Sequence, residues 1–235
     1  MRYAVYFTPP RDDALTRAAE AWLGRSAFGD APVAVPHIPE LMPEEIEAMV
    51  REPRRYGFHA TMVAPFRLAD GRDETQLLAA FARFCADAAP FAIEGLTVAR
   101  LSSFVALTPR EREHELSDLA ARAVHAFAPF RAPLTPDEIA RRRPESLTAR
   151  QAAYLERYGY PYVIDEFRFH MTLTGSLAPE AMARVQPLLA DHFAPVLVAP
   201  MPIGGLALFQ EAEPGAPLTI LDHARLSGGE ARKSA

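Results

Sequence analysis

Apolar residues recur along this chain either at alternate positions or every three to four, and the two periods divide most of it into strands and helices. Arg2 to Phe7 reads as a strand. Asp12 and Asp13 then open a helix whose apolar positions Leu15, Ala18, Ala19, Trp22 and Leu23 keep the helical period. The stretch from Asp30 to Leu41, with Pro32, Pro36 and Pro39, is an irregular connection to a short acidic helix that begins near Pro43. YGFHATMVAPFRL is the next strand, and a helix from about Asp73 to Ala88 gathers Leu77, Phe81, Phe84, Cys85 and Ala88 on one face, making Cys85 a core residue. FAIEGLTVARLSSFVAL reads as a β-hairpin turning at Leu101–Ser103. Thr108 and Pro109 then supply the N-cap and first position of a helix that buries Leu116, Leu119, Ala123 and Phe127.

From Phe130 to Tyr162 the chain turns polar, and we read about 130–160 as an inserted helical segment that could act as a lid. It holds Arg141–Arg143, read as a solvated face, and a short helix bounded by a Thr148…Gln151 capping box and Gly159. The strand VIDEFRFHMTLTGSL follows, then a helix from Pro179 to about Phe193 with Met182, Val185, Leu188 and Leu189 inward. PVLVAPMPIGGLALFQ and APLTILDHARL form a final hairpin. Residues 1–228 are expected to fold as one domain and 229–235 to be a disordered tail.

Composition narrows the function classes. The chain has 235 residues, 49% hydrophobic and 23% charged, enough to bury a core. Its 25 Lys+Arg against 30 Asp+Glu leave a formal net charge of -5, which makes long nucleic acid an unfavourable ligand. The lone Cys85 excludes an internal disulfide and a Cys-rich zinc site, and a reducing, cytoplasmic location is expected. MRYAVYFTPP is too short an apolar stretch for a secretory signal, and the longest uncharged stretch, between Asp191 and Glu211, is broken by Pro195, Pro200, Pro202, Gly204 and Gly205; no membrane span is expected. The one lysine is Lys233, so lysine-based chemistry has no support.

The candidate chemistry lies in a repeat of pattern: a His-x-Thr strand, a helix, then a hairpin, once from His59-Ala60-Thr61 and again from His170-Met171-Thr172. Residues two apart share a strand face, so Phe167, Phe169, Met171 and Leu173 point one way while Arg168, His170, Thr172 and Thr174 point the other. The first strand likewise sets Gly57, His59, Thr61 and Val63 opposite Phe58, Ala60, Met62 and Ala64, with Gly57 leaving room for a ligand. One His beside a Thr is commonly a satisfied core residue. Two at matching points of a repeat meet across a single groove if the halves are related by a pseudo-twofold axis. There one neutral imidazole can take a proton while a protonated partner gives one, which suits phosphodiester cleavage. Thr61, Thr172 and Arg168 can bind phosphate oxygens, and Tyr6, Tyr56 and Phe209 are candidates to stack on a base or sugar.

These residues resemble the 2H phosphoesterase superfamily, defined by two His-x-Thr/Ser motifs. YGFHATMVAPF and DEFRFHMTLTG are similar to the branch of uncharacterised proteins encoded with phosphonate-utilisation genes, labelled DUF1045. The resemblance implies an α+β, duplicated bilobal (LigT-like) fold, with two antiparallel sheets flanking a central groove and helices outside. It also implies metal-independent cleavage of a cyclic phosphate or 2′–5′ phosphodiester, with His59 and His170 as the acid–base pair and Thr61 and Thr172 holding phosphate. No cofactor is implied; the partner is a small phosphorylated molecule (a cyclic phosphate, nucleotide or ribose derivative), and a monomer is expected. Two positions depart from the pattern: Val63 and Ser176 stand where basic residues are expected. The alternative is a non-catalytic nucleotide- or RNA-binding module with the same groove. A His-based metal site has no helical i, i+4 pair to support it, and neither GxxxxGK[ST], GxGxxG nor GxSxG occurs.

Overall fold

The computed structural model describes residues 1–29, 33–197 and 200–228. The expected tail at 229–235, part of the Pro-rich connection and two residues of the last apolar stretch lie outside the described residues. In chain order the elements are β1 (Arg2–Phe7), α1 (Ala14–Leu23), α2 (Pro43–Tyr56), β2 (Ala60–Phe66), α3 (Glu74–Asp87), β3 (Phe91–Ile93), β4 (Leu96–Leu101) and β5 (Phe104–Pro109). There follow α4 (His114–Phe127), α5 (Pro136–Ala140), α6 (Ala149–Tyr158), β6 (Met171–Thr172), α7 (Pro179–Phe193), β7 (Met201–Ile203), β8 (Gly205–Glu211) and β9 (Thr219–Arg225).

The helices begin where the sequence offers caps. Asp13 accepts from Leu15 N at 2.8 Å and Asp73 from Gln76 N at 2.8 Å, while Thr148 and Gln151 close the expected box before α6. Gly24 and Gly159 end α1 and α6 in the left-handed conformation. Several expectations are corrected. Thr108 and Pro109 do not start a helix: they extend β5, opposite Thr97 and Leu96, and α4 begins at His114. The acidic helix is not short, since α2 runs through Pro53 to Tyr56. The long strand expected around His170 shrinks to Met171–Thr172, because Ile164–Glu166 form a 3-10 turn tied to α6. In that tie Asp165 accepts from Arg150 and Tyr154, and Glu166 accepts from Gln151 at 2.9 Å.

All registered strand pairs are antiparallel, in an α+β arrangement. The two sheets expected to flank a groove are not separate. They join as one seven-stranded sheet, order β4-β5-β6-β2-β1-β8-β9, beside a two-stranded β3-β7 ribbon. Reading outward from the β6/β2 seam, β6 corresponds to β2, β5 to β1 and β4 to β8. The repeat unit is therefore one strand longer than the sequence suggests: β1–helix–β2–α3–β3–β4, then β5–α4–β6–α7–β7–β8, with β9 added at the edge. The units exchange partners, since α3 packs on β8 and β9, α7 packs on β4 and β5, and β3 pairs with β7.

One apolar core runs through both units and draws on α1, α2, α3, α4 and α7 against Tyr3, Val5 and Phe7 of β1 and Ala60, Met62 and Phe66 of β2. The opposite face of β1, Ala4 and Tyr6, belongs to a smaller cluster with Phe209 and Leu218. Cys85 is buried in the main core, which pushes its thiol up to about 12. Two register shifts between β1 and β2 break strict alternation, so Val63 is buried in the core while Ala64 faces the cavity. Fully buried Trp22 donates its indole N–H to Leu173 O at 2.8 Å, fixing α1 to the chain beyond β6. Replacing Trp22 by Phe strands that carbonyl and opens a void. An unfolding free energy lower by about 2–4 kcal/mol is expected from denaturant curves followed by circular dichroism. A change within about 0.5 kcal/mol would contradict the anchoring role.

Candidate active site

The seam decides the site. β2 and β6 run antiparallel with Ala60 opposite Met171. That register sets His59 opposite Thr172 and Thr61 opposite His170, so each histidine neighbours its own threonine two residues on and the other repeat's threonine across the seam. The two histidines are then diagonal neighbours, about 7–8 Å apart by backbone spacing.

Both imidazoles are oriented alike. His59 Nδ1–H donates to the carbonyl of Gly57 at 2.9 Å, and His170 Nδ1–H donates to the carbonyl of Arg168 at 2.7 Å. In each case the residue two positions upstream in the same chain fixes the tautomer and leaves Nε2 with its lone pair. His59 Nε2 accepts from the Thr61 hydroxyl at 3.2 Å. Gly57 sits at φ +74, and a Cβ there would lie 2.7 Å from the Ala27 Cβ. Gly57 itself lines a cavity over the seam, but the space its missing side chain would take is filled by Ala27, and the glycine serves the turn that aims its carbonyl at His59.

The two environments differ. Tyr6 stacks on His59 with ring centroids 3.9 Å apart, and Tyr56 and Phe209 stand at 6.1 and 6.3 Å. By register, the position matching Tyr6 in the second unit is Ala106, so no ring stacks on His170 there, and among the described residues the aromatic ring paired with it is Phe104, at 5.9 Å. Burial lowers His59 to about 4; the Gly57 bond opposes that fall and a charge on His170 deepens it. His170 is also lowered by burial, against the bond to Arg168 O.

A cavity of about 360 Å³ opens over this seam, lined by Tyr6, Tyr56, His59, Thr61 and Thr172 among others. A second of about 430 Å³ adjoins it, lined by Thr61, Arg168 and His170, and shares Phe104 and Tyr160 with the first. Arg168 is exposed and stands at the rim beside His170, away from His59 and Thr172. Tyr6 covers His59, and Phe209 is fully buried with its ring 4.8 Å from that of Tyr6, so it offers no face to a ligand; Tyr56 remains half-buried at the cavity wall. Thr174 lines the cavity, but its hydroxyl accepts from Val105 N and donates to Gly175 O. Ser176 is exposed at the edge, and a basic residue at 63 would point into the core.

Among the cavity residues that sequence reasoning missed are its two arginines, Arg2 and Arg142. Of the run read as a solvated face, Arg141 and Arg143 are exposed while Arg142 turns in over Tyr160, 5.0 Å from its ring centroid. The insertion thereby forms a wall of the cavity. Among the described residues no three or more His, Cys, Asp or Glu side chains gather as metal ligands, and no helix is long and apolar enough to cross a membrane.

The profile of the family described as "Protein of unknown function (DUF1045)" matches residues 61–219. A "Ribose 1,5-bisphosphate phosphokinase PhnN" from Janthinobacterium sp. (strain Marseille) is 39% identical over 237 residues, covering 99% of this chain and 52% of that protein. One of the same name from Laribacter hongkongensis (strain HLHK9) is 39% identical over 226 residues, covering 94% and 50%. The chain thus spans about half the length of the curated relatives it matches. The crystal structure of TT0787 of Thermus thermophilus aligns over 97% of this chain and 99% of that one, with 17% identity and a TM-score of 0.47.

Because the folded protein keeps His59 neutral while the unfolded chain protonates it below about 6.5, His59 contributes stability that is present above that pH and lost as pH falls toward 4. Denaturant curves between pH 7 and 4.5 should show a loss approaching 1.4 kcal/mol per pH unit that His59→Gln removes. The same pH dependence in both proteins would contradict the burial of the imidazole.

Proposed function

The chain belongs to the DUF1045 family, and from that premise we propose that it is a metal-independent phosphoesterase that opens a cyclic phosphate or cleaves a 2′–5′ phosphodiester with His59 and His170. The observation that carries this reading is the crossed square at the seam: two imidazoles with Nδ1 bonded to the backbone, the Nε2 lone pair on the side away from that bond (met by the Thr61 hydroxyl at His59), and a threonine across the seam from each. Such a pair can move one proton each way across a phosphorus held between them, and Thr61 and Thr172 can donate to its non-bridging oxygens. The paired units and exchanged helices support reading the architecture as the bilobal 2H phosphoesterase fold, with residues 1–228 as one domain.

His59, held neutral to lower pH, is the base. It takes a proton from the attacking water as the new P–O bond forms, and the proton on His170 passes to the ester oxygen that leaves phosphorus. An anionic phosphate between them raises both imidazoles, which favours the charged form of His170 on binding. Arg168 at the rim can add a charge-assisted bond, and Tyr56 can pack against a sugar or base.

The phosphokinase activity named for the longer relatives is not carried over, since this chain has no GxxxxGK[ST] loop and its lone lysine is Lys233. The ribose phosphate in their name, and the resemblance to proteins encoded with phosphonate-utilisation genes, support a small sugar phosphate as substrate. The partner is a small phosphorylated molecule, with the chain acting as a cytoplasmic monomer.

With EDTA present, 2′,3′-cyclic nucleotides, a ribose cyclic phosphate and a 2′–5′ dinucleotide form the test panel. His59→Ala and His170→Ala should each lower kcat about a hundred- to ten-thousandfold on the compound that is turned over. Binding without turnover by wild type would favour the binding-module alternative. In the free protein His59 titrates near 4 and His170 below 6.5, so kcat/KM should rise through an acid limb near pH 4 and fall through a second limb below 6.5. A profile flat from pH 4 to 8 with chemistry rate-limiting would overturn the two-histidine mechanism.

A further inference from the structure

Charge in the 360 Å³ cavity is uneven, although the chain as a whole is acidic. Arg2 lies on the same face of β1 as Tyr6, four residues away, which is about 13 Å along the strand. Its Nε donates to Glu211, a fully buried carboxylate that also accepts from Arg55 and from Gly215 N. One carboxylate therefore faces two guanidinium groups and leaves a positive surplus.

Arg142 of the insertion also lines this cavity and lies over the Tyr160 ring, and among the described residues its guanidinium makes no ion pair. The nearby carboxylate of Glu138, whose field reaches Arg2 and Arg131, is taken up by Arg67 and the backbone N–H of Thr135. Half-buried Arg131 adds a further positive charge close to Arg67 and Arg142. The negative side chain lining the cavity, Glu52, stands beside Gly175, near the end of the second motif. The lining thus sets two guanidinium groups, Arg2 and Arg142, against one carboxylate, in the same cavity as His59, Thr61 and Thr172.

We infer that the substrate carries a second anionic group, of the phosphate class, which Arg142 and Arg2 bind while the phosphorus to be attacked lies between the histidines. The inference rests on the two-histidine reading for which end is attacked. Arg142 is suited to this task because the Tyr160 face orients its fork while its donors remain available for a bidentate contact. A charge-assisted pair of this kind corresponds to about ten- to hundredfold in affinity. The insertion would then act in specificity: it supplies the cation that selects doubly charged over singly charged ligands.

The test compares adenosine 2′-monophosphate with adenosine 2′,5′-bisphosphate by titration calorimetry on the full chain. Wild type should bind the bisphosphate at least tenfold more tightly, Arg142→Ala should reduce that ratio toward one, and Arg142→Lys should restore part of it. A ratio near one in wild type, an unchanged ratio in Arg142→Ala, or no binding of the bisphosphate would overturn the inference. Cleavage of 2′,3′-cyclic AMP with and without a 5′-phosphate separates the two readings. Equal kcat/KM for both compounds overturns the second anion site and leaves the histidine mechanism standing. Absence of any histidine-dependent cleavage alongside an Arg142-dependent binding ratio would count against the mechanism while upholding the anion site.

Discussion

A single registered pair, Ala60 opposite Met171, joins the two halves of the sheet, and the positions of both histidines follow from it. The residues flanking that pair cross over, so His59 meets Thr172 and Thr61 meets His170. A slip of one residue would turn one motif's polar side chains into the core and break the square. The core guards against that slip, because Phe169, Met171 and Leu173 are buried on one side and Trp22 holds Leu173 O from the next layer. The exchange of α3 and α7 between units adds a second lock, since neither helix can move without disturbing the other unit's strands.

Duplication supplies symmetry, and the neighbouring strands then break it. Both imidazoles are aimed by a carbonyl two residues upstream, a device that needs only local backbone and is inherited by each copy. What differs is the cover: Tyr6 stacks on His59, while the matching position beside His170 is Ala106. Loss of hydration falls harder on His59, and its charged form is the more disfavoured. Two nearly identical motifs thus acquire different proton affinities without any change in the motifs, which is the condition for one to serve as base and the other as acid.

The parts that were legible in the sequence are those governed by local period and capping. The α1, α3 and α7 helices, the inward residues of α4, the capping box of α6 and the polar face bearing His59, Thr61, His170 and Thr172 all follow from residues a few positions apart. What escaped depends on distant partners. Nothing near Asp165 announces that it will accept from Arg150 and Tyr154 and so convert a strand-like stretch into a turn. Thr108-Pro109 has the composition of a helix start, yet pairing with Leu96 and Thr97 keeps it in β5. Arg2 and Arg142 reach one cavity from the first strand and from an insertion, and no spacing rule links them. A net charge of -5 says nothing of that local surplus.

The most direct test of the central claim is an NMR titration of the imidazole resonances of His59 and His170, in the free protein and with adenosine 2′-monophosphate bound. Two histidines facing one phosphate predict His59 near 4 and a less depressed His170 in the free protein, with both shifted upward when the phosphate enters. Two histidines titrating independently near 6.5, unmoved by the ligand, would contradict it.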